Sequence, residues 1–335
     1  MRIVYNNIIT GETMRVIGLF KDIKNELKII EKELQKVVEA PDPLLSETSA
    51  HLLNAGGKRL RPAFAILAGK AYNFDREKLL PIAVALELIH MASLVHDDVI
   101  DASLTRRGIP TVKARWGNQI SMHTGDYLFA KSLVLISQYS NPMISKVLSD
   151  VSVKMCEGEI QQIISAFDVG QGIKDYFYRI KRKTALLISA SCQCGALAVD
   201  APLEVVKSLG LYGHYLGMAF QITDDILDLV ANQKKLGKPV GGDLRQGIIT
   251  LPIIYALSQS PQRQRLQELV GKREKSEDEV LEAIKIIKES GAIEYSFKIS
   301  NRYIAKAKEQ LVHLPQTPIK DSFEVAADYI NNRKY

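Results

Sequence analysis

From Ile17 to Leu34, the apolar positions Ile17, Phe20, Ile23, Leu27, Ile30 and Leu34 recur every three or four residues with charged residues between them. That spacing is the stripe of an amphipathic helix, predicted over residues 16–38. The same period runs through roughly 59–73, 77–101, 119–138, 142–168, 174–199, 203–232 and 248–259, and through three charged segments after residue 276. Gly, Pro and Asn interrupt it at Gly56-Gly57, Gly108 with Pro110, Asn141-Pro142, Gly170 to Gly172, Asp200 to Pro202, Lys238 to Gly242 and Ser260-Pro261. Alternation of apolar with polar residues is nearly absent, and no Asn-Gly or Asp-Gly dipeptide joins β-branched runs. The pattern predicts an all-α fold, a single large helical bundle whose central helices are apolar nearly all round. Residues 1–13 do not join the pattern and read as an N-terminal extension to a domain spanning 14–335.

The most apolar stretch, Leu79 to Val95, is interrupted by Pro81, Glu87 and His90 and runs into Asp97. It therefore reads as a buried helix and not as a membrane span. With 335 residues, 46% hydrophobic and 24% charged, the chain has the composition of a globular protein, which argues against disorder, collagen and an integral membrane protein. The formal charge of +6 favours anionic ligands but is too dispersed to indicate nucleic acid. Its three cysteines, Cys156, Cys192 and Cys194, cannot form a disulfide framework and lack zinc spacing, so all three are expected to be reduced core thiols. Charges at Arg2, Glu12, Arg15, Lys21 and Asp22 leave too short an apolar run for a signal peptide, and the expected location is cytoplasmic.

Chemistry enters with two acidic motifs of identical spacing. Asp97-Asp98-Val-Ile-Asp101 closes one apolar helix, and Asp224-Asp225-Ile-Leu-Asp228 lies in another. A four-residue interval stacks Asp97 over Asp101 and Asp224 over Asp228, where like charges repel. Aspartate is almost never fully buried without partners. Magnesium removes the difficulty, because it takes hard oxygen ligands, typically one or two carboxylates with substrate phosphates and water. A single such motif reads equally well as a solvated helix end; two copies after two apolar helices point to a shared metal and diphosphate site.

The cations match this reading. Gly56-Gly57-Lys58-Arg59-Leu60-Arg61-Pro62 places basic groups at a helix start, where free N–H groups and the dipole already favour an anion. Arg106-Arg107-Gly108 follows the first acidic motif, and Lys183-Thr184 and Lys238 add further candidates. Arg forks bind phosphate in bidentate fashion, while Lys supplies a mobile point charge. His90 lies two helical turns before Asp97 on about the same face.

In order and spacing, G-G-K-R-L-R-P, H-x-x-S-L-x-H-D-D-V-I-D, R-R-G, K-T, G-M-A-F-Q-I-T-D-D-I-L-D and G-K-P-V-G-G-D-L resemble the trans-isoprenyl diphosphate synthases from about residue 20 to the C-terminus. Within them, M-A-S-L-V-H-D-D-V-I-D and R-I-K-R-K-T-A-L-L-I are most similar to the catalytic components, components II, of bacterial heptaprenyl diphosphate synthases. The resemblance implies a bundle of the isoprenoid synthase type with a central apolar cavity. It implies that Lys58, Arg61, His90 and Arg107 hold the diphosphate of isopentenyl diphosphate. Asp97, Asp98, Asp101, Asp224, Asp225 and Asp228 would bind magnesium on the allylic diphosphate, with Arg106, Lys183 and Lys238 assisting, and Lys183, Thr184 and Gln221 would serve the reacting carbons. Small residues at Ala92 and Ser93 imply a long product. A small second subunit (component I) or a homodimer is the implied assembly, with at most transient membrane contact for product release. One departure is Ile248, where many members carry Lys after the glycine of D-L-x-x-G.

Three other readings, one enzymatic and two not, fit less well. A terpene cyclase shares the first motif but usually replaces the second with an Asn/Asp, Ser/Thr, Glu pattern and has no need of G-G-K-R-L-R. A non-catalytic subunit predicts eroded Asp clusters, and both clusters are complete. A nucleic-acid binder would set its cations in a stripe, whereas here they interleave with carboxylates.

Overall fold

The computed structural model describes residues 21–230, 240–314 and 316–331; the predicted extension 1–13 and Lys238 lie outside them. The contacts divide into two compact units, the first gathering residues 21–145, 194–201 and 316–322, the second 146–193, 202–314 and 323–331.

In the first unit, a 3₁₀ turn leads into α1 (Lys24–Val38), which buries Ile30, Leu34 and Val38 as the stripe predicts. The helix α2 (Pro43–Asn54) was not expected from periodicity. It starts because Asp42 accepts the Leu45 N–H at 2.9 Å and Pro43 occupies the first helical position. Next come α3 (Leu60–Lys70) and the 25-residue α4 (Arg76–Ile100), whose Asp75 cap accepts from Glu77 N and Lys78 N.

Among the described residues α4 is the one helix long and apolar enough to cross a membrane, but 67% of its most apolar window is buried, as in a core helix. Pro81 sits inside it, and the helix is repaired from outside. The Ile82 N–H donates to the Tyr139 hydroxyl at 2.9 Å, and that hydroxyl donates to the Lys78 carbonyl, so a phenol bridges the backbone groups beside the proline.

A two-residue hairpin, β1 (Thr105–Arg106) and β2 (Ile109–Pro110), joins α4 to α5 (Val112–Ile136) and is a strand signal the pattern did not show. Arg107 and Gly108 both have positive φ (53° and 80°), the geometry of a type I′ turn, which matches the twist of a hairpin. The helix α5 begins seven residues before its expected start, capped by Thr111, and is kinked at Gly117. It packs along α4 for much of its length.

The second unit takes most of α6 (Pro142–Ile164), then α7 (Ile173–Ile180), a π turn at Lys181–Ala185, and α8 (Leu186–Ala198). The helix α9 (Leu203–Val230) runs along α14 (Ala292–Gln310), where Thr223 and Ser300 hydroxyls meet at 3.1 Å. Between them in sequence lie α10 (Gly242–Gln246), α11 (Leu251–Gln259), α12 (Arg263–Gly271) and α13 (Glu277–Glu289), and α15 (Pro318–Asn331) follows. Periodicity gave neither α10 nor α12. The core gathers Tyr176, Ile222, Ile226, Leu251 and Ile287.

Gly213 and Gly217 of α9 lie against the backbone of the preceding segment. A Cβ on Gly213 would sit 2.8 Å from the Ile188 carbonyl oxygen, and one on Gly217 would sit 2.5 Å from the Ala185 Cα. The small-residue strip of Gly210, Gly213 and Gly217 is therefore an internal seam, with Gly210 facing Gln193. Cys192 and Cys194 are buried, and burial pushes the Cys194 thiol up. Cys156 corrects the expectation of three core thiols: it is exposed, because it shares the outward face of α6 with Val153 and Ile160.

Candidate active site

In the first unit the cationic residues converge on the start of α3. The chain reaches that helix through Gly56, Gly57 and Arg59, all at positive φ. Arg59 is 8% exposed, and every nitrogen of its guanidinium is used. Nε and Nη2 grip Glu31 of α1 at 2.9 and 3.0 Å, Nη1 reaches Glu87 of α4 at 3.0 Å, and further bonds go to the Leu53 and Gly56 carbonyls. Arg59 is thus a clamp that fixes the turn holding Lys58 and Arg61.

Arg107 comes against the same turn, since a Cβ on Gly57 would lie 2.7 Å from its Nη1. His90 sits among these groups. Desolvation first, then Arg61, Arg107, Arg106 and Arg59, hold its imidazole well below the usual range, so it is a neutral hydrogen-bonding group at working pH. The structure therefore brings Arg61, His90 and Arg107 together around the turn carrying Lys58, as an anion site requires.

The first acidic cluster occupies the C-terminal end of α4, where the helix dipole is already unfavourable to carboxylates. Asp98, 2% exposed, accepts from Arg106 Nε at 2.8 Å and pairs with Nη2 at 2.7 Å. Asp97 and Asp101, one turn apart, are half-buried. Ala92 is buried on the same helix, and the Ser93 hydroxyl donates to the His90 carbonyl at 2.9 Å.

The second cluster lies in α9 of the second unit. Asp224 and Asp228 are half-buried and Asp225 is buried. The Asp225 carboxylate accepts from the Tyr176 hydroxyl at 2.7 Å and from Gln221 Nε2 at 2.8 Å, and the Thr184 hydroxyl donates to Gln221 Oε1 at 2.6 Å. Burial pushes the Asp225 carboxyl up to about 7, against the opposite pull of Gln221, Tyr176 and Arg179. Asp228 accepts from the backbone N–H groups of Gly242 and Asp243, both at 3.1 Å, and so holds the start of α10. Lys183 and Thr184 stand on the π turn, a helix defect that recurs at functional sites, and Lys183 pairs with Glu159 at 3.2 Å.

Three residues of this neighbourhood escaped the sequence reading. Asp243, inside the quoted G-G-D-L, is pushed well up by burial and then by Asp228 and Asp225. Tyr176 and Arg179 lie seven and four residues before Lys183 on α7. Arg179 is buried with Nη1 on Gln171 at 2.8 Å and Nη2 on the Ile249 carbonyl at 2.6 Å. Nothing in residue period marks them; only the fold carries Tyr176 to Asp225.

The donors fit magnesium. Among the described residues no three Asp, Glu, His or Cys side chains form a ready-made metal cage. Magnesium seldom uses one, preferring one or two carboxylates with phosphate oxygens and water. The donors present are hard carboxylate oxygens, and the crowding of Asp225, Asp228 and Asp243 is a charge excess that a divalent cation would relieve.

Comparison with known proteins agrees with this chemistry. The sequence is 47% identical over 322 residues to heptaprenyl diphosphate synthase component 2 of Geobacillus stearothermophilus, covering 96% of this chain and 100% of that protein. The structure is similar to heptaprenyl diphosphate synthase from Staphylococcus aureus, with a TM-score of 0.89 at 38% identity, covering 93% of this chain and 99% of that one. It is also similar to a polyprenyl synthase from Caulobacter crescentus complexed with calcium and isoprenyl diphosphate, with a TM-score of 0.91 at 31% identity over 96% and 98% of the two chains. The sequence model for polyprenyl synthetase matches residues 42–287, a span that contains both acidic clusters and every described cation discussed above. On motif, geometry and similarity together, this chain belongs to the polyprenyl synthetase family and is a prenyltransferase of all-α fold.

Proposed function

We propose that the chain is the catalytic component of a two-component heptaprenyl diphosphate synthase, a cytoplasmic enzyme that extends farnesyl diphosphate with isopentenyl diphosphate to seven isoprene units, as for a quinone side chain. The reading rests on one observation: a chain that aligns with the whole of a component 2 protein retains both acidic clusters intact, each beside its own cations. We take residues 14–335 as the catalytic chain and magnesium as its metal.

In this reading Lys58, Arg61 and Arg107 neutralise the diphosphate of isopentenyl diphosphate, and neutral His90 donates to it without adding charge. Asp97, Asp98, Asp101, Asp224, Asp225 and Asp228 are the residues that would hold magnesium, with Arg106, Lys183 and Lys238 assigned to the allylic diphosphate. Bound magnesium supplies Lewis-acid stabilisation of charge on the leaving diphosphate. As the allylic C–O bond breaks, the Gln221 and Thr184 oxygens present their dipoles to the cation. The double bond of isopentenyl diphosphate then forms the new C–C bond, and a proton passes to the departed diphosphate. Apolar walls keep water from quenching the cation.

The small second component is the partner we assign. Val153, Ile160, Ile163 and Ile164 expose an apolar face on α6, a surface suited to it. The internal glycine seam, by contrast, offers the partner nothing. Purified chain should be incubated with farnesyl diphosphate, labelled isopentenyl diphosphate and magnesium, with and without the small component. Poor elongation alone and seven-unit product on addition support the reading. Full-rate synthesis of long products by the chain alone would make it a homodimeric geranylgeranyl, hexaprenyl or octaprenyl synthase instead, and cyclic hydrocarbons would make it a cyclase.

Product length has its own test. Ala92 lies between one and two turns before Asp97, and a growing tail running beside α4 would pass it. Ala92→Tyr should shorten the product by blocking that path about 7.5 Å, between one and two turns, below the acidic cluster. Chain-length analysis showing an unchanged product would place the limiting residue elsewhere.

A further inference from the structure

Tyr176 is fully buried on α7 among Ile222, Ile226 and Leu251, a setting in which phenylalanine would pack as well. Burying a phenol hydroxyl is costly unless it is hydrogen-bonded, and this one has a specific acceptor, Asp225 Oδ2 at 2.7 Å. The other carboxylate oxygen, Oδ1, takes the Gln221 amide at 2.8 Å. With its two oxygens taken by these two donors, the carboxylate turns the Gln221 N–H group towards itself and leaves Oε1 on the opposite side. There Oε1 meets the Thr184 hydroxyl at 2.6 Å. Four side chains from α7, the π turn and α9 thus form one chain of directed hydrogen bonds, with Tyr176 at its buried end.

We infer that Tyr176 is a positioning residue: by holding the Asp225 carboxylate it sets which atom of the Gln221 amide, and which lone pairs of Thr184, face the reacting carbons. The inference rests on the proposed prenyl transfer for its catalytic consequence, though not for its geometry. Without the phenol, Asp225 keeps one donor in place of two and rotates, and the amide loses its fixed sense. An N–H turned to a developing cation opposes it, where an oxygen would stabilise it.

The test compares wild type with Tyr176→Phe and, as an independent variant of the same link, Asp225→Asn. Three readouts separate positioning from folding and from metal binding. One is hydrogen exchange of the Gln221 side-chain amide by NMR, assigned by its loss in Gln221→Met. The second is the affinity for inorganic diphosphate with Mn²⁺ by calorimetry, which needs no turnover. The third is the division of the kinetic loss between kcat and KM. The expected result for Tyr176→Phe is amide exchange faster by about tenfold and kcat lower by about tenfold to a hundredfold, since small misplacements near reacting atoms cost that much. KM for isopentenyl diphosphate and the diphosphate affinity should stay within about twofold of wild type. Unchanged amide exchange in both variants would overturn the inference, as would a kcat loss matched by an equal loss of diphosphate affinity. A wild-type chain with no prenyl transfer would overturn the proposed function, while the exchange measurement would still decide the role of Tyr176.

Discussion

Asp97→Ala and Asp224→Ala each lower turnover by about a hundredfold to a thousandfold, the range lost when one preorganised charge-stabilising group is removed, while the fold is kept. Asp97 stands at the negative end of the α4 dipole, one turn above Asp101, and Asp224 stands one turn above Asp228. Each substitution removes a repelling charge from the protein without its metal. The helical signal and melting temperature should therefore stay close to wild type. Steady-state rates at saturating magnesium, read beside circular dichroism, make the comparison. Near-normal magnesium-dependent turnover in either variant would sink the assignment of that cluster.

The largest loss of stability is expected from Arg59→Met. Arg59 holds Glu87, which is 2% exposed, and Glu31 at the same time. Removing one partner of a buried ion pair leaves an uncompensated charge, at a cost of about 3–5 kcal/mol. Glu87 is the sensitive member: its Oε2 already lacks a hydrogen-bond partner, so it has no second donor to fall back on. Adding Glu87→Gln should recover part of the loss, because an amide does not carry the stranded charge. Urea midpoints for the single and double variants give the answer. A single variant within about 1 kcal/mol of wild type would show that water reaches Glu87 and that the clamp is dispensable.

Both acidic clusters, the cationic turn and nearly all the long helices were legible in the sequence, because each is written in local spacing. A four-residue interval of aspartates or a stripe of leucines carries its meaning within one or two turns. The helix α2 was missed although Asp42-Pro43 is a proper start signal, since its apolar stripe is weak; α12 was missed because a nine-residue helix with only Leu266, Leu269 and Val270 buried barely establishes a period. The hairpin hides behind Arg107, an unusual residue for positive φ. The site's supporting residues were illegible for a different reason. Arg59 finds Glu31 and Glu87 each 28 positions away, and Tyr176 finds Asp225 49 positions away. Such partners exist only once the helices are packed. Arg59 was visible in G-G-K-R-L-R-P only as one of the basic groups at a helix start; the fold makes it the anchor of the turn that carries Lys58 and Arg61.

The contact of Gly213 and Gly217 with the backbone at Ile188 and Ala185 has a consequence for how this enzyme can be altered. Two helices that touch main chain to main chain have no side chains left to trim or swap, so their spacing cannot be tuned by degrees. The stretch bearing Lys183 and Thr184 and the one bearing Gln221 and Asp224 consequently behave as a single casting: a lineage, or a laboratory selection, can retain this register or lose it, but cannot adjust it one methyl group at a time. Gradual change has to draw instead on positions where side chains still set the distance between helices.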